Sequence, residues 1–410
     1  MPSFETTRRT VLLGAAASIA LIGLGGSLHA QDGGKPLKIG IIDDLSGPNS
    51  GNSGPGTVEA AKMAIEDFGG KVLGRPIELL VATDENKPDI AVAIAQKWFD
   101  QDGVQMITGL AASNSALAVQ NITKQANKIS IVSAAASAEL TGKGCTPNSL
   151  HWMFDTYASA LALVDGIIQQ GGKKWFFITV DVNFGRDMQA QATSIIQQKG
   201  GEVVGSVAHP LGNLDFSSAI LSAQASGADV IALAQAGADL ENTIKAAREF
   251  GVTQNGQKLA VFFLQTAQVE SIGQQATQGL ITPTPFFPRL NEETLAWTKR
   301  FVKRVPGGRV PTANQANAYG AVTHYLKAVA AAGTDETQAV LKKMREMPIN
   351  DMMTKNGQVR EDGRVLRDLN IVQVKKPEQS SGDYDYFEVL TTIPKERAYR
   401  GLKEGGCPHV

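Results

Sequence analysis

The sequence predicts an α/β protein of two lobes, each built on a doubly wound parallel sheet. From Leu37 onward, short runs rich in Val, Ile and Leu alternate with segments of helical periodicity. This order is typical of a parallel sheet covered by helices. The chain has 410 residues, which exceeds what a single hydrophobic core usually accommodates. It contains 42 glycines and only 6% aromatic residues, a composition that suits close packing of helices on a sheet.

The first lobe begins with LKIGIID at 37–43, an apolar run with β-branched residues that predicts a buried strand. A loop rich in Gly, Ser, Asn and Pro follows at 46–56. The other elements predicted for this lobe are a helix over 57–69, a strand over 77–83, a helix over 89–101, a strand over 104–109, a helix over 114–127 and a strand over 129–134. The repeated strand–helix order predicts right-handed crossovers between parallel strands.

The second lobe repeats this pattern after residue 157. The elements predicted for it are helices over 158–170, 185–199, 216–226 and 239–250, and strands over 174–181, 202–209, 229–235 and 259–265.

The pattern of the last third of the chain predicts that the chain crosses more than once between the two lobes. GLITPTPFFP at 279–288 has three prolines at spacings unsuited to a helix, which predicts an extended crossing. The elements predicted after it are helices over 291–304, 313–332 and 335–346 and strands over 366–375 and 384–390. These crossovers predict a hinge between the lobes. We expect lobe 1 to comprise 36–155 and 287–362, lobe 2 to comprise 156–286 and 363–395, and the tail 396–410 to return to lobe 1.

Residues 1–30 have the layout of an export signal. A polar start with Arg8 and Arg9 precedes an apolar run over 11–24 and small residues up to Ala30. The apolar run is shorter than the roughly 20 residues of a membrane-spanning helix. The paired arginines leave both a twin-arginine signal and an ordinary secretory signal open. We expect cleavage after Ala30 and, because no cysteine lies in the cleavage region, no lipid anchor.

Charge and motifs argue against several classes of function. The formal net charge is −1, so no basic field is available for nucleic acid and no polybasic run for anionic lipid. The five histidines form no H-x-x-x-H pair, and neither G-x-S-x-G nor G-x-x-x-x-G-K-[ST] occurs. We therefore expect no catalytic residues, no metal site, no cofactor and no nucleic-acid partner.

The chain contains two cysteines, Cys145 and Cys407. In an oxidising compartment they most simply form one disulfide, which would link the C-terminus to a loop near residue 145. Two buried free thiols are the alternative. A catalytic cysteine is disfavoured because neither residue has a histidine beside it in sequence.

Several segments carry a family resemblance: IGIIDDLSGPNSG, GTVEAAKMAIEDFGG, GRPIELLVATDENKPDIAVAIAQKW, SAAASAELTG and VDVNFGRDM. This succession resembles the periplasmic solute-binding proteins of ABC importers, in particular the branched-chain-amino-acid-type group. The resemblance implies the type I periplasmic-binding-protein fold, with two Rossmann-like lobes, three hinge strands and a small ligand closed between the lobes. It also implies a periplasmic location and delivery of the ligand to membrane permease subunits. We expect a monomer.

The loops that follow the first-lobe strands are the predicted binding region. In open α/β sheets, ligands bind beyond the carboxyl ends of the strands, where helix N-termini offer free N–H groups. Loops at 46–56, 109–115 and 133–137 occupy such positions. Ser113 and Asn114 are good N-cap residues before a helix.

The resemblance also implies individual contacts in the cleft. It places Ser113 and Ser137 as hydroxyls, and Ala135 as a backbone contact, for a ligand carboxylate or equivalent polar group. It places Phe184 as an aromatic wall and Asp239 as the acidic group for a ligand ammonium.

Two positions depart from the family pattern. Asn52 stands where an aromatic residue is frequent, and Asp239 is shorter than the glutamate expected there. Both departures argue against a standard branched-chain amino acid and leave an amino acid, an amide or an aromatic carboxylate as the predicted ligand. Ser113 and Asp239 can alternatively be structural helix caps. A ligand sensor of the same fold is the alternative function, and an exported enzyme is a weaker one.

Overall fold

A computed structural model describes residues 34–410. The predicted export signal and its cleavage site lie outside the described residues. The strands are β1 (Leu37–Asp43), β2 (Lys71–Val72), β3 (Arg75–Thr83), β4 (Val104–Gly109), β5 (Ile129–Val132), β6 (Ser149–His151), β7 (Lys174–Val180), β8 (Glu202–His209), β9 (Val230–Ala234), β10 (Lys258–Val261), β11 (Ile281–Thr284), β12 (Gln358–Val359), β13 (Val365–Leu366), β14 (Leu369–Val374) and β15 (Phe387–Ile393).

The helices alternate with these strands along most of the chain. They are α1 (Gly54–Asp67), α2 (Pro88–Lys97), α3 (Ser113–Gln125), α4 (Thr156–Gln169), α5 (Asn183–Gln198), α6 (Ser217–Ala225), α7 (Gly237–Glu249), α8 (Thr266–Ile272), α9 (Gln274–Thr277), α10 (Glu292–Phe301), α11 (Ala313–Ala332), α12 (Thr337–Glu346) and α13 (Lys395–Ala398).

The first sheet has six strands in the order β2-β3-β1-β4-β5-β6. β1 pairs in parallel with β3 and β4, and β2 joins the edge antiparallel to β3. The central strand is buried on both faces. Leu37 and Ile39 pack in the same core as residues of α11 and α12, whereas Ile42 packs with residues of α2 and α3. A strand covered by helices on both faces is expected to be continuously apolar.

The second sheet has four parallel strands in the order β10-β9-β7-β8. Successive residues of β7 point to opposite faces, as in any strand. Trp175 and Phe177 therefore enter one core, and Phe176 and Ile178 enter the other. The α/β fold class with doubly wound parallel sheets is confirmed.

The proline-rich crossing at 279–288 contains a strand. β11 forms the edge of a three-stranded antiparallel sheet, in which β14 lies between β11 and β15. An edge strand tolerates Pro283 because its missing N–H need not complete a ladder on both sides. The segment is extended, as predicted.

Helix α11 returns the chain to the first sheet. It packs against α1 and α12, and its Ala321, Val322 and Tyr325 share a core with β1. We use lobe 1 for the first sheet with α1–α3, α11 and α12, and lobe 2 for the second sheet with α4–α9. The residue boundaries predicted for the lobes stay a prediction.

The tail is attached to lobe 1 covalently. Cys145 and Cys407 form a disulfide with their Cα atoms 5.5 Å apart, so the predicted bridge is confirmed. Within residues 34–410, every helix is too short or too polar to cross a membrane.

Candidate functional site

A cleft lies where the carboxyl ends of the parallel strands of the two lobes face each other. It encloses about 720 Å³ of empty space, part of it open to solvent. Its lining comprises Asn49, Asn52, Asn86, Ala111, Ala112, Ser113, Asn114, Ala134, Ala136, Met153 and Asn314 together with Val180, Val182, Phe184, Leu211, Ala236, Phe263 and Gln265. None of these lining residues is charged. The site must therefore bind by hydrogen bonds, helix dipoles and apolar contact.

The N-terminus of α3 forms one wall. The first N–H groups of a helix have no acceptor within it, and the helix dipole gives this end a partial positive charge. The N-cap residue Ala112 offers no side-chain acceptor, so these N–H groups are available to a bound group. The Ser113 Oγ accepts a hydrogen bond from the Ser137 N–H at 3.3 Å, which leaves its hydroxyl proton as a donor.

Amide side chains form a second wall. The Asn49 Nδ2 donates to the Asn86 Oδ1 at 3.0 Å, and the Asn86 Nδ2 donates to the Asp44 Oδ2 at 2.8 Å. The buried Asp44 carboxylate also accepts from the backbone N–H groups of Gly47 and Asn49, at 2.6 and 2.9 Å. Asp44 thus fixes the loop from which Asn49 reaches the cleft.

Four further amide side chains tie this wall to the neighbouring helices. The Asn52 Oδ1 accepts a short hydrogen bond from the Gln268 Nε2 of α8. The Gln265 Oε1 accepts from the Ala313 N–H at 3.1 Å, and its Nε2 lies 3.5 Å from the Asn314 Oδ1. Gln265 and Asn314 therefore meet at the start of α11, on the floor of the cleft.

The opposite wall is apolar and aromatic. Phe184, at the second residue of α5, meets Phe263 edge-on, with ring centroids 5.1 Å apart. Phe263 in turn stacks on Phe154 at 4.8 Å. The apolar side chains of Val180, Val182 and Leu211 also line the cleft and extend this surface. Such a wall suits an apolar or aromatic ligand body.

Four of the seven predicted binding residues line the cleft: Asn52, Ser113, Asn114 and Phe184. Ala135 is not among the lining residues, although its neighbours Ala134 and Ala136 are. The Ala135 carbonyl lies 2.8 Å from the His151 Nε2, so this backbone oxygen is already in a hydrogen bond.

Ser137 is also outside the lining. Its hydroxyl accepts from the Glu139 N–H at 3.2 Å and donates to the Asp187 Oδ2 at 2.8 Å. The same carboxylate oxygen accepts from the Ala138 N–H at 2.7 Å and from the Thr156 hydroxyl at 2.6 Å. Ser137 therefore contacts the opposite lobe through Asp187.

Asp239 lies in the first turn of α7 and is 1% exposed. Its two carboxylate oxygens accept from the Gly212 N–H at 3.0 and 3.1 Å, and its Oδ2 lies 3.9 Å from the His209 Nδ1. Burial raises the pKa of Asp239, against the opposing effects of the Gly212 N–H and His209. The carboxylate is engaged with the loop after β8 and does not line the cleft.

Most of the amide residues that line the cleft, and the aromatic residue Phe263, were not predicted from the sequence. Asn49 lies within the predicted loop 46–56, so a closer inspection of that loop's amides could have found it. The strand predicted over 259–265 contains Phe263 and Gln265, but β10 ends at Val261 and these two residues line the cleft instead. Across residues 34–410, no cluster of three or more His, Cys, Asp or Glu is arranged to hold a metal ion.

Comparison with known proteins identifies relatives over almost the whole described chain. The sequence profile of a family described as periplasmic binding protein matches residues 36–382. A periplasmic binding protein from Burkholderia mallei is 38% identical, with a TM-score of 0.88, and the match covers 91% of this chain and 99% of that one.

Two further relatives are similar over most of their length. A branched chain amino acid ABC transporter periplasmic ligand-binding protein from Burkholderia xenovorans LB400 is 36% identical with a TM-score of 0.80, covering 91% of this chain and 99% of that one. The Leu/Ile/Val-binding protein homolog 4 of Brucella melitensis is 28% identical over 331 residues, which is 76% of each chain.

Proposed function

Because the chain belongs to the periplasmic binding protein family, we propose that it is the extracytoplasmic component that delivers one small solute to the permease subunits of an ABC importer. Family membership assigns the chain to solute-binding proteins rather than to enzymes. The solute binds between the lobes, where contacts from both lobes favour the closed arrangement over the open one.

The cleft favours a monocarboxylate. A carboxylate placed at the α3 N-terminus receives backbone N–H groups and the Ser113 hydroxyl, and it is stabilised by the helix dipole. Ser113 is 3% exposed, so water competes little for this contact. This end of the cleft is the single feature that carries the assignment.

The rest of the cleft favours an apolar body without an ammonium group. Phe184 and Phe263 stand across the cleft from lobe 1, and the amides of Asn49, Asn86 and Gln265 provide neutral hydrogen-bonding groups. An ammonium buried there would lack a carboxylate partner, because no lining residue is acidic, and an unpaired buried charge is unfavourable. We propose a small aromatic carboxylate, with a hydroxyl or carbonyl at its far end, over an amino acid.

Calorimetry on residues 31–410, freed of co-purified solute by unfolding and refolding, tests the ligand class. The matched pair is 3-phenylpropanoate and phenylalanine, which differ by the amino group. We expect 3-phenylpropanoate to bind more tightly. Tighter binding of phenylalanine would contradict the proposed ligand class.

Ser113→Ala tests the carboxylate site. Loss of one buried hydrogen bond is expected to make the binding free energy of 3-phenylpropanoate less favourable by roughly 1–3 kcal/mol. Ser115→Ala is the matched control, because Ser115 is a buried serine of the same helix that does not line the cleft. Equal affinities of the two variants would show that Ser113 does not bind the carboxylate.

We also propose that residues 1–30 direct export to the periplasm, are removed after Ala30, and leave a monomer without a lipid anchor. The N-terminal sequence of the secreted protein tests the cleavage site. Export in a strain lacking twin-arginine translocation distinguishes the two signal types, and light scattering measures the oligomeric state.

A further inference from the structure

At the rim of the cleft, the lobe 1 loop that carries Pro48 contacts the start of α7 in lobe 2, in addition to the Ser137–Asp187 contact described above. The Pro48 carbonyl, in the lobe 1 loop after β1, accepts a hydrogen bond from the Ala238 N–H of lobe 2 at 3.1 Å. Ala238 is the second residue of α7, and the N-cap of that helix makes no side-chain hydrogen bond. Lobe 1 therefore supplies an acceptor to a helix N-terminus that its own lobe leaves uncapped.

Gly237 makes this approach sterically feasible. It has a φ of +59°, and a Cβ built on it would lie 2.4 Å from the Pro48 carbonyl oxygen and 3.1 Å from the Asn49 Oδ1. Real Cβ atoms do not approach a backbone oxygen that closely, and the oxygen cannot rotate away as a flexible side chain would. The obstructing atoms belong to the opposite lobe, so a side chain at position 237 would obstruct the closed arrangement specifically.

Buried carboxylates hold the loops on either side of this contact, which are the loop that carries Pro48 and the loop after β8 that is joined to α7. In lobe 1, Asp44 accepts from the N–H groups of Gly47 and Asn49, the residues on either side of Pro48. In lobe 2, Asp239 accepts from the Gly212 N–H, and a Cβ on Gly212 would lie 3.5 Å from the Pro48 Cγ. Asp44 and Asp239 are each 1% exposed. The contact is therefore fixed on both sides rather than formed between mobile loops.

We infer that the Pro48 carbonyl and the α7 N-terminus form a latch of the closed state, with Gly237 as the positioning residue that sets ligand affinity by permitting closure. This inference rests on the proposed solute-binding function. The latch adjoins the ligand, because Asn49 and Ala236 both line the cleft. A solute that holds the lobes together and a latch that holds them together stabilise the same state, so each strengthens the other.

The same latch assigns a role to Asp239. A carboxylate that positions the Gly212 loop against Pro48 acts on closure and not on a particular chemical group of the solute.

The test measures the distance between the lobes and the affinity in the same variants. Spin labels on Gln96→Cys in lobe 1 and Ser222→Cys in lobe 2, both at exposed positions, report the distance by pulsed electron resonance. Gly237→Ala is expected to shift the ligand-free distribution to longer distances and to weaken 3-phenylpropanoate at least tenfold. Gly237→Asn is expected to do the same with less effect on folding, because Asn tolerates positive φ better than Ala.

Gly227→Ala and Gly227→Asn are the matched controls. Gly227 lies in lobe 2 with a φ of +73°, and a Cβ there meets nothing within 4 Å. These controls carry a similar backbone strain without an obstruction between the lobes, so they should keep the parent distance distribution and an affinity within about twofold. Thermal unfolding confirms that each variant is folded at the temperature of measurement.

Distance distributions of the Gly237 variants that match those of the Gly227 controls would overturn the latch. Failure of the unsubstituted protein to bind 3-phenylpropanoate would instead contradict the proposed ligand class. In that case the ligand-free distances still decide whether the latch exists, so the two failures are distinguishable.

Discussion

At the scale of single residues, two carboxylic acids buried beneath the cleft loops are the least expected feature. Asp43 ends β1 and Asp84 follows β3, and both side chains are 0% exposed. Burial is the main cause that raises the pKa of Asp43 to about 7, and the nearby Asp84 acts in the same direction. The Asp44 N–H, which donates to the Asp43 Oδ1 at 2.9 Å, opposes the increase. Burial also raises the pKa of Asp84. A protonated Asp43 beside Asp84 avoids placing two negative charges in this interior.

The raised pKa of Asp43 predicts a pH dependence of stability. An unfolded aspartate loses its proton near pH 4, whereas Asp43 in the folded state keeps its proton up to about pH 7. Between these values the folded state binds more protons, so the free energy of unfolding falls as the pH rises, by about 1.4 kcal/mol per pKa unit at most. Asp43→Asn should remove this decline and stabilise the protein at pH 8 relative to the parent. Urea unfolding at pH 5 and pH 8 measures it, and parallel pH profiles for parent and variant would contradict the assignment.

The position of Asp239 predicts an effect that does not depend on the ligand's charge. Its oxygens accept from the Gly212 N–H and it does not line the cleft. Asp239→Ala should therefore lower the binding affinities for phenylalanine and for 3-phenylpropanoate by the same factor. Calorimetry with both ligands checks this, and a selective loss of the amine-bearing ligand would instead support the ammonium contact implied by the family resemblance.

At the scale of elements, the start of α11 supports a cleft loop as well as its own helix. Thr312 caps the helix by accepting from the Gln315 N–H at 3.4 Å, and the Gln315 Oε1 accepts from the Thr312 N–H at 3.0 Å. The Thr312 hydroxyl also donates to the Asn52 carbonyl, and the Gln315 Nε2 donates to the Ser53 carbonyl at 3.1 Å. This capping box therefore anchors the loop that carries Asn52 into the cleft.

Thr312→Val should lower the free energy of unfolding by about 1–2 kcal/mol, because a lost N-cap hydrogen bond has that magnitude. It should also weaken solute binding, since the Asn52 loop loses an anchor. Thr312→Ser keeps the hydroxyl and is the matched control, expected to lie close to the parent in both measurements. Chemical unfolding and calorimetry test the pair, and a Thr312→Val protein as stable as the Ser variant would refute the anchoring role.

The sequence predicted the elements whose own periodicity determines them. The predicted strands 37–43, 104–109 and 202–209 and the helix 313–332 match β1, β4, β8 and α11 in their bounds. β6, a three-residue strand, was missed, since its pairing with β5 arises from tertiary structure and a run this short has no periodicity.

The position of the cleft was predictable from the sequence, but only some of the side chains that line it were. The loops follow from the rule that carboxyl ends of parallel strands gather at one edge of a sheet, and Ser113 and Asn114 line the cleft from there. The direction of a carboxylate in a first helical turn depends on a loop that is distant in sequence. Asp239 contacts Gly212, 27 residues away, and no local pattern encodes that contact.

At the scale of the whole molecule, the crossing segments meet at a buried arginine. Arg364, 0% exposed, lies 3.1 Å from the Asp155 Oδ2 and 3.0 Å from the His151 Nδ1. Burial and the positive charge of Arg364 hold the pKa of His151 well below its usual value, so this imidazole is neutral. Arg364 therefore forms its ion pair with Asp155 and not with His151. The backbone N–H of His151 also donates to the Gly363 carbonyl at 2.8 Å. Removing one partner of such a pair is unfavourable, so the segments that cross between the lobes are firmly joined here.

The disulfide extends this junction to the C-terminal tail. Cys407 is bonded to Cys145 across 262 residues of sequence, and the Arg360 Nη1 donates to the Arg400 carbonyl at 2.8 Å. Arg400 in turn donates to the Ala138 carbonyl, next to the Ser137–Asp187 contact between the lobes. The tail therefore supports the lobe 1 segment that meets lobe 2 on this side of the cleft.

Removal of the bridge in a Cys145→Ser/Cys407→Ser protein should lower the free energy of unfolding. For the 262-residue separation that the bridge spans, the chain-entropy model gives an upper value of about 5–6 kcal/mol. We expect a smaller loss, because the Arg400 contacts hold part of the tail in place without the bridge. Urea unfolding of the double variant beside the oxidised and reduced parent measures it. The reduced parent should match the double variant, and an oxidised parent no more stable than either would show that the bridge does not stabilise the fold.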